Sequence, residues 1–217
     1  MNEFLIGFGA LLTGYLAGSI SFSRVVTRLV APGADLEGTV VPVEGTDATI
    51  RMAAVSATSV RFKLGPKYGL LASFLDMVKV ALPVAAFRLF FPDFPANFLT
   101  AAGGMIGHNW PLYHKFKGGY GLSAFYGAIL VIDWTAVPVN FVLTAFSYLI
   151  LKQVHLASIA GIFLVIPWLW FHDHNTLAMV YTGFCVVMYT IRVLPDYRTM
   201  LKIKRQKIDP EETEEGG

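Results

Sequence analysis

The chain has little cysteine and little charge, and each shortage excludes a class of protein. Cys185 is the one cysteine among 217 residues, which excludes an intrachain disulfide and a cysteine-ligated zinc site and leaves Cys185 as a filler of the core. Charged residues make up 15% of the chain and hydrophobic residues 55%, whereas ordinary soluble domains carry about 25% charge. With a mean hydropathy of +0.57, this composition indicates an integral membrane protein.

Apolar segments recur along the chain at lengths that approach or reach a bilayer crossing, which takes about 20 residues. We predict an all-α bundle of about seven transmembrane helices, at residues 4–22, 70–91, 98–113, 122–132, 135–151, 156–170 and 177–191. Segments 98–113 and 122–132 are short for a full crossing, so a bundle of five is the alternative. The first segment lacks a basic leading stretch and a small-residue cleavage site, which argues against a removable signal peptide.

The positive charges predict the orientation of this bundle. Lys and Arg gather in cytoplasmic loops, and an outside N-terminus places 15 of the 17 basic residues on the inner side. The remaining two, Lys79 and Arg88, lie within one helix. We therefore expect a multi-pass protein of the cell membrane whose C-terminus and active face are cytoplasmic. A basic face attracts anionic lipids and metabolites, but basic residues spread between spans do not form a nucleic-acid site.

We expect a single polytopic domain at residues 1–208. Its longest polar segment, residues 31–69, is predicted to be a long cytoplasmic loop. Residues 209–217 are acidic and are expected to be disordered. Small residues at spacings of three and four favour close helix packing: Gly7, Ala10, Gly14 and Gly18 in the first span, and Gly103 and Gly107 in the third.

A glycine-rich, lysine-bearing loop lies between two apolar segments, in the stretch HNWPLYHKFKGGYG at residues 108–121. The backbone amides of Gly118, Gly119 and Gly121 precede a helix, and amides at a helix start suit an oxyanion such as phosphate. Lys117 adds a positive charge beside them. A tight turn between two spans is the other interpretation, and the sequence leaves both open.

Three further polar residues lie near the inner boundary of the predicted spans. His108 precedes the glycine loop and is either a catalytic residue or a hydrogen-bonded residue at a helix end. Asp76 and Lys79, at positions i and i+3, share a helix face and form either a structural ion pair or a wall of the site. The outer segment 172–174, His-Asp-His, lacks the further ligands that a metal requires, so no metal is expected.

Four segments of the chain together resemble the bacterial acyl-phosphate:glycerol-3-phosphate acyltransferases (PlsY). They are GSISFSRVVTRL at 18–29, LGPKYGLLASFLDMVKVALPV at 64–84, GHNWPLYHKFKGGYG at 107–121 and RVLPDYRTML at 192–201. The resemblance implies transfer of an acyl group from acyl phosphate to the 1-hydroxyl of glycerol 3-phosphate at the cytoplasmic leaflet, giving lysophosphatidic acid. It implies no metal, no other cofactor and no acyl carrier protein, and it identifies no protein partner.

The polar residues on the inner segments supply the candidate site. His108 is the candidate catalytic residue, and the candidates for binding phosphate or substrate are Lys117, Gly118, Gly119, Gly121, Arg61 and Arg192. Both substrates of such an enzyme carry phosphate, which suits a basic, glycine-rich inner face.

Several polar positions of the family pattern are replaced in this chain. Tyr120 stands for the lysine of Gly-Gly-Lys-Gly, Asp196 for an asparagine and Phe62 for an arginine, although Arg61 is adjacent. Without gaps, residues 51–54 replace Gly-Ser-Gly-Asn by Arg-Met-Ala-Ala, while a shifted alignment would use residues 45–49 instead. These replacements weaken phosphate binding, because each lost charge-assisted contact is worth about 1.5–3 kcal/mol.

Two hypotheses about function follow from these replacements. The chain is either a membrane acyltransferase, with an altered donor or acceptor, or a catalytically silent relative that binds lipid or an anionic metabolite or partners an active enzyme. An apolar plug beside His108 would favour the silent relative. A transporter is a more distant third hypothesis, because the sequence shows no pair of broken helices in matching halves.

Overall fold

The computed structural model describes residues 2–43 and 45–208, and these residues are mostly helical. Along the described chain the elements are α1 (Glu3–Gly18), α2 (Phe22–Val30), β1 (Val40–Pro42), β2 (Thr49–Arg51), α3 (Ala57–Leu64), α4 (Pro66–Phe90), α5 (Ala96–Asn109), α6 (Leu122–Ile132), α7 (Ala136–Leu151), α8 (Val154–Asp173) and α9 (Thr176–Ile208). The predicted all-α class is confirmed. The disorder expected at 209–217 concerns residues outside the described part.

Helices that could span a membrane by their length and composition are present, as predicted. Within the described ranges, four segments are long and apolar enough to cross a bilayer: Glu3–Val30, Pro66–Phe90, Val154–Asp173 and Thr176–Gln206. Helices α6 and α7 are apolar but shorter, with 11 and 16 residues. The membrane character of the chain is thus confirmed, while the count of seven spans and the orientation stay predictions.

Helix α5 ends earlier than the predicted span 98–113. Its last residue is Asn109, and a 3-10 turn at Leu112–His114 follows. Trp110 precedes Pro111, and a residue before proline avoids the α conformation because the proline ring clashes with its backbone. The early end of α5 leaves His108 in the last helical turn, next to the glycine loop.

Helices α1 and α5 pack with their backbones in contact, through the glycines of the predicted stripe. A Cβ atom added to Gly103 would lie 2.2 Å from the carbonyl oxygen of Leu11, and one added to Gly14 would lie 2.0 Å from that of Thr100. Gly18 and Gly107 are equally tight, against Gly104 and Tyr15. The predicted close packing is confirmed, and it holds the His108 end of α5 against the break between α1 and α2.

One large apolar core joins the helices that surround α1 and α5. Val80 of α4, Met105 of α5, Phe125 of α6, Ile162 of α8 and Cys185 of α9 are all buried in it. Cys185 is 0% exposed, so its predicted role as core filler is confirmed.

The polar segment 31–69 is more structured than the single long loop expected from the sequence. It contains the antiparallel hairpin of β1 and β2, in which Val41 pairs with Ile50, and the helix α3. The N–H of Val55 donates to the carbonyl oxygen of Gly118 at 3.0 Å, and the N–H of Ala53 donates to Asp196 Oδ1 at 2.9 Å. The segment therefore covers the end of the bundle where the glycine loop and the second half of α9 meet.

The α1–α5 contact makes Gly103 intolerant of a side chain. We expect Gly103→Ala to lower the free energy of unfolding by about 1–3 kcal/mol, because its methyl group would overlap the backbone of α1. Gly9→Ala in α1 is the matched control, since no atom lies within 4 Å of the added Cβ. Thermal unfolding in detergent would measure both, and equal melting temperatures would contradict the packing described here.

Candidate functional site

His108 lies where α5, α4 and the glycine loop meet. Its side chain is 7% exposed, and it lines a cavity of about 10 Å³ together with the Asp76–Lys79 pair and the backbone of Gly118 and Gly119. A cavity of that volume is large enough for about one water molecule. The structure thus brings together five of the residues that the sequence singled out.

Asp76 and Lys79 form a buried ion pair, with Lys79 Nζ 2.6 Å from Asp76 Oδ1. Lys79 Nζ also donates to the carbonyl oxygen of Ile20 at 2.5 Å, and the N–H of Phe22 donates to Asp76 Oδ1 at 3.4 Å. The pair therefore ties α4 to the break between α1 and α2, and its side chains also line the cavity beside His108. The structural ion pair, one of the two alternatives left open by the sequence, is thus present, and the role of the pair as a wall of the site stays a prediction.

The glycine loop is held from both sides by backbone contacts. The N–H of Gly119 donates to the carbonyl oxygen of His108 at 3.1 Å, and a Cβ on Gly119 would lie 2.3 Å from His108 Nε2. Gly121, with φ of +94°, precedes α6 in a conformation that favours glycine. The amide of Gly119 is thus engaged by the protein, and this glycine lets the loop lie directly on the imidazole.

Arg192 of α9 binds the loop rather than an open cavity. Its Nε donates to the carbonyl oxygen of Gly119 at 3.0 Å and its Nη2 to that of Gly118 at 2.9 Å. The guanidinium carbon lies 5.7 Å from the centre of the Trp110 ring. Its two donors fix the position of the glycine loop, so in this structure Arg192 positions the site.

Lys117 is exposed and lies in a small charged cluster with Glu37 and Arg24. Lys117 Nζ lies 2.6 Å from Glu37 Oε2, and Arg24 Nη2 lies 3.4 Å from Glu37 Oε1. The hydrogen bond from Lys117 lowers the pKa of the Glu37 carboxyl below its ordinary value. One carboxylate thus bridges two cations from separate elements, as an anionic ligand would.

Two larger cavities adjoin the loop and share a wall formed by Thr58, Tyr120, Val154 and His155. The first, about 150 Å³ and here called the hydroxyl cavity, is also lined by His108, Gly121, Tyr189 and four serines, Ser56, Ser73, Ser123 and Ser158. The second, about 360 Å³ and here called the hairpin cavity, is also lined by Arg61, Gln153, Asp196 and apolar residues such as Ile50, Met52 and Phe62. Arg61 therefore lies in a different cavity from His108.

Tyr120 and Asp196, two of the residues that replace polar residues of the family pattern, contact each other. The hydroxyl of Tyr120 donates to Asp196 Oδ2 at 2.5 Å, and the other carboxylate oxygen accepts from the N–H of Ala53 at 2.9 Å. Asp196 is 4% exposed. Burial, together with the charge and hydrogen bond of Asp196, raises the pKa of Tyr120, so its hydroxyl stays protonated and continues to donate to the carboxylate.

Sequence reasoning missed the other polar residues of this region, above all His155, Tyr189 and Glu37. His155 is the second residue of α8, and an ionisable side chain at the edge of an apolar span is a functional signal that the sequence did contain. Tyr189 and Glu37 carried no such signal, because their roles come from contacts with residues distant in the chain.

Comparison with known proteins identifies the family. Residues 8–205 match the family model of glycerol-3-phosphate acyltransferase. The chain belongs to this family. It is 31% identical over 188 residues to the glycerol-3-phosphate acyltransferase of Rhodopseudomonas palustris strain BisB5, covering 85% of this chain and 87% of that protein.

Two further comparisons agree with this assignment. The glycerol-3-phosphate acyltransferase of Mycoplasma capricolum subsp. capricolum is 30% identical over 167 residues, and the match covers 74% of this chain but 60% of that relative's length. The crystal structure of PlsY (YgiH), an integral membrane glycerol 3-phosphate acyltransferase, in its glycerol 3-phosphate form superposes with a TM-score of 0.75 at 25% identity, covering 90% of this chain and 92% of that one.

The contact between Tyr120 and Asp196 is expected to stabilise the fold. We expect Tyr120→Phe to lower the free energy of unfolding by about 1–3 kcal/mol, because a buried carboxylate loses one of its donors. Tyr113→Phe, at an exposed position of the same loop, is the matched control and should change stability by about 0.5 kcal/mol or less. Chemical or thermal unfolding of both variants would measure this, and indistinguishable curves would exclude the stabilising role.

Proposed function

We propose that this chain transfers an acyl group from an acyl phosphate to a hydroxyl of glycerol 3-phosphate, forming lysophosphatidic acid for phospholipid biosynthesis. By its family the chain is a membrane glycerol-3-phosphate acyltransferase. The observation that carries the proposal is the hydroxyl cavity of about 150 Å³ beside His108, which is lined by serine, threonine and tyrosine side chains as well as apolar ones. A silent relative would be expected to fill this place with an apolar plug, and the residues lining the cavity do not form one.

The linings of the two cavities support different parts of the reaction. The hydroxyl cavity has serine, threonine, tyrosine and histidine side chains and no charged residue among those that line it, which suits the hydroxyl end of the acceptor. The hairpin cavity is lined by Arg61, by Asp196, whose carboxylate accepts from Tyr120 and Ala53, and by apolar side chains. Its cation and its apolar wall suit an acyl phosphate with its chain. The wall that they share is where the acceptor oxygen would meet the acyl carbon, at the short distance that acyl transfer requires.

The remaining candidate residues take supporting roles in this proposal. His108 lines the hydroxyl cavity and orients or polarises the acceptor, while Arg192 and the glycines hold the loop against it. Lys117, with Arg24, attracts the phosphate of the incoming acceptor. The buried pair of Asp76 and Lys79 keeps α4 in place behind His108.

The same proposal places the protein in the cell membrane, with the active end of the bundle on the cytoplasmic side. The segments with the most positive charge, including 31–69, the glycine loop and the second half of α9, contact each other at this end. Clustering of Lys and Arg on the inner side supports this orientation.

Activity can be tested with purified protein in lipid, supplied with an acyl phosphate and glycerol 3-phosphate. We expect release of phosphate and formation of lysophosphatidic acid in equal amounts. His108→Ala should lower kcat about 100-fold or more, and Lys117→Gln should lower kcat/KM about 10- to 100-fold, the equivalent of one charge-assisted contact. Lys115→Gln, two residues away on the same exposed loop, is the control and should retain activity.

Each other result of that assay would point to a different function. Phosphate release without lysophosphatidic acid would indicate a different acceptor. If neither product formed, the catalytically silent, lipid-binding alternative would replace the proposal.

The bridge from Glu37 to Lys117 and Arg24 predicts competition with the substrate phosphate. We expect Glu37→Gln to lower the KM for glycerol 3-phosphate, because the phosphate no longer has to displace a carboxylate. Exposed ion pairs are worth about 1 kcal/mol or less, so the decrease should be about fivefold at most. The effect should shrink at high ionic strength, and an unchanged or raised KM at low salt would contradict it.

A further inference from the structure

A cavity of about 420 Å³ lies at the end of the bundle opposite the glycine loop, where α4 and α6 end and α5 and α9 begin. Helix α5 leads from Ala96 at this end to Asn109 beside the loop, which is about 20 Å for an α-helix of that length. The volume lies in the range of small-molecule sites, about 300–1,000 Å³. The function proposed above gives this cavity no role.

The lining of this cavity combines both signs of charge with amides and aromatic rings. Its polar side chains are Arg88 at the end of α4, Asp93 in the connection to α5, Asn97 in the first turn of α5 and Asn175 before α9. Three phenylalanines, Phe91, Phe94 and Phe98, are among its apolar residues. Such a lining can pair with a ligand that is itself both charged and apolar.

Arg88 and Asp93 carry opposite charges but do not pair with each other. Among the described residues, neither side chain lies within ion-pair distance of an opposite charge. Arg88 Nη1 donates to the carbonyl oxygens of Val131 and Ile132 at the end of α6, which holds the guanidinium and leaves its other N–H groups for a ligand. Because an anion alone would face Asp93 and a cation alone would face Arg88, the lining favours a ligand that carries both charges.

Asn97 supplies a buried polar group that has no partner in the protein. It is 9% exposed, it lines the cavity, and its amide makes no hydrogen bond within the described part of the chain. Its oxygen and nitrogen are not among the fully enclosed atoms, so they remain accessible. Leaving a buried amide unpaired costs free energy, which a ligand with its own donors and acceptors would recover. Asn175 uses its oxygen on the N–H of Ala178 at 3.0 Å, which leaves its two N–H donors.

The surroundings of the cavity favour a lipid as that ligand. Leu89 and Phe90, directly after Arg88, are each 77% exposed, and apolar side chains so exposed at the end of a spanning helix face acyl chains. An arginine at such a helix end keeps its cation at the level of the lipid head groups. The cavity therefore opens beside acyl chains, at the depth where head groups lie.

We propose that this cavity binds the head group of a zwitterionic lipid, a phosphodiester that carries a primary ammonium group, as in phosphatidylethanolamine. Arg88 and the N–H donors of Asn175 contact the phosphate, while Asp93 and the amide oxygen of Asn97 accept from the ammonium. A primary ammonium has the N–H donors that these oxygens require, whereas the quaternary ammonium of phosphatidylcholine has none. The acyl chains lie along Leu89 and Phe90. This site is independent of the acyl transfer proposed above.

Binding can be measured on the full-length protein, delipidated in dodecyl maltoside, whose head group is uncharged. Dihexanoyl phosphatidylethanolamine, phosphatidylglycerol and phosphatidylcholine are each titrated while thermal unfolding is followed. We expect the ethanolamine lipid to raise Tm saturably and to bind about tenfold more tightly than the other two, the equivalent of one charge-assisted contact. Glycerophosphoethanolamine, the same head group without acyl chains, should bind at least about tenfold more weakly than the lipid.

Asp93→Asn assigns the binding to this cavity. Asp93 is exposed and has no hydrogen bond or ion pair in the described part of the chain, so the variant should keep the Tm of the lipid-free protein. We expect its preference for the ethanolamine lipid over phosphatidylglycerol to disappear, while Arg88→Gln should weaken the binding of both lipids. Asp173→Asn, at an exposed acid that ends α8 outside the cavity lining, is the matched control and should keep the preference.

Each of four other results would overturn this site. Equal binding of the three lipids would show that the head group is not distinguished. A preference for the ethanolamine lipid that survives Asp93→Asn would place the lipid elsewhere on the protein. Equal binding of glycerophosphoethanolamine would identify a soluble zwitterion as the ligand in place of a lipid. No saturable rise in Tm with any of these compounds would show that the cavity holds solvent.

Discussion

The pair of hydrogen bonds from the Arg192 guanidinium to the carbonyl oxygens of Gly118 and Gly119 is the contact on which the rest of the site depends. It joins the last helix to the loop between α5 and α6 by two hydrogen bonds of 2.9 and 3.0 Å. The loop in turn lies on His108 so closely that Gly119 has no room for a side chain. Because the guanidinium is planar and its donors are fixed in direction, it sets the distance between α9 and the glycine loop, whose Tyr120 and Gly121 line the hydroxyl cavity.

The replaced family positions form a consistent set rather than scattered losses. Tyr120 and Asp196, which stand for a lysine and an asparagine of the family pattern, contact each other, and Asp196 accepts from both Tyr120 and Ala53. A buried carboxylate is tolerated only when its oxygens are satisfied, and these two donors satisfy one oxygen each. Relative to the family pattern, this region has therefore exchanged a cation for a hydrogen-bonded anion, and we infer that phosphate binding depends on Arg61, Arg24 and Lys117 at its edges.

Much of the fold follows from the sequence, because it rests on local signals. Hydropathy identifies the apolar helices, the spacing of Gly14 and Gly18 identifies the packed face, and the i, i+3 spacing of Asp76 and Lys79 identifies their contact. The hairpin within 31–69 and the partners of Glu37 and His155 could not be predicted this way. The contacts of Glu37 and His155 join residues 80 and 34 positions apart in the chain, and a periodic pattern carries no information on which distant polar groups meet.

In the proposed function, the separation of the cations from the hydroxyl groups determines how an acceptor lies in the site. The hydroxyl cavity is lined by no cation, and moving a phosphate dianion into such a place without a paired charge would cost far more than its hydrogen bonds return. In the proposed function we therefore expect the phosphate to stay at the basic edge, while the uncharged hydroxyl end enters. Under that proposal the ion stays outside and the hydroxyl enters, so the oxygen to be acylated is the end of the acceptor that reaches the hydroxyl cavity, and we infer that the distribution of charge selects the reacting end of the substrate.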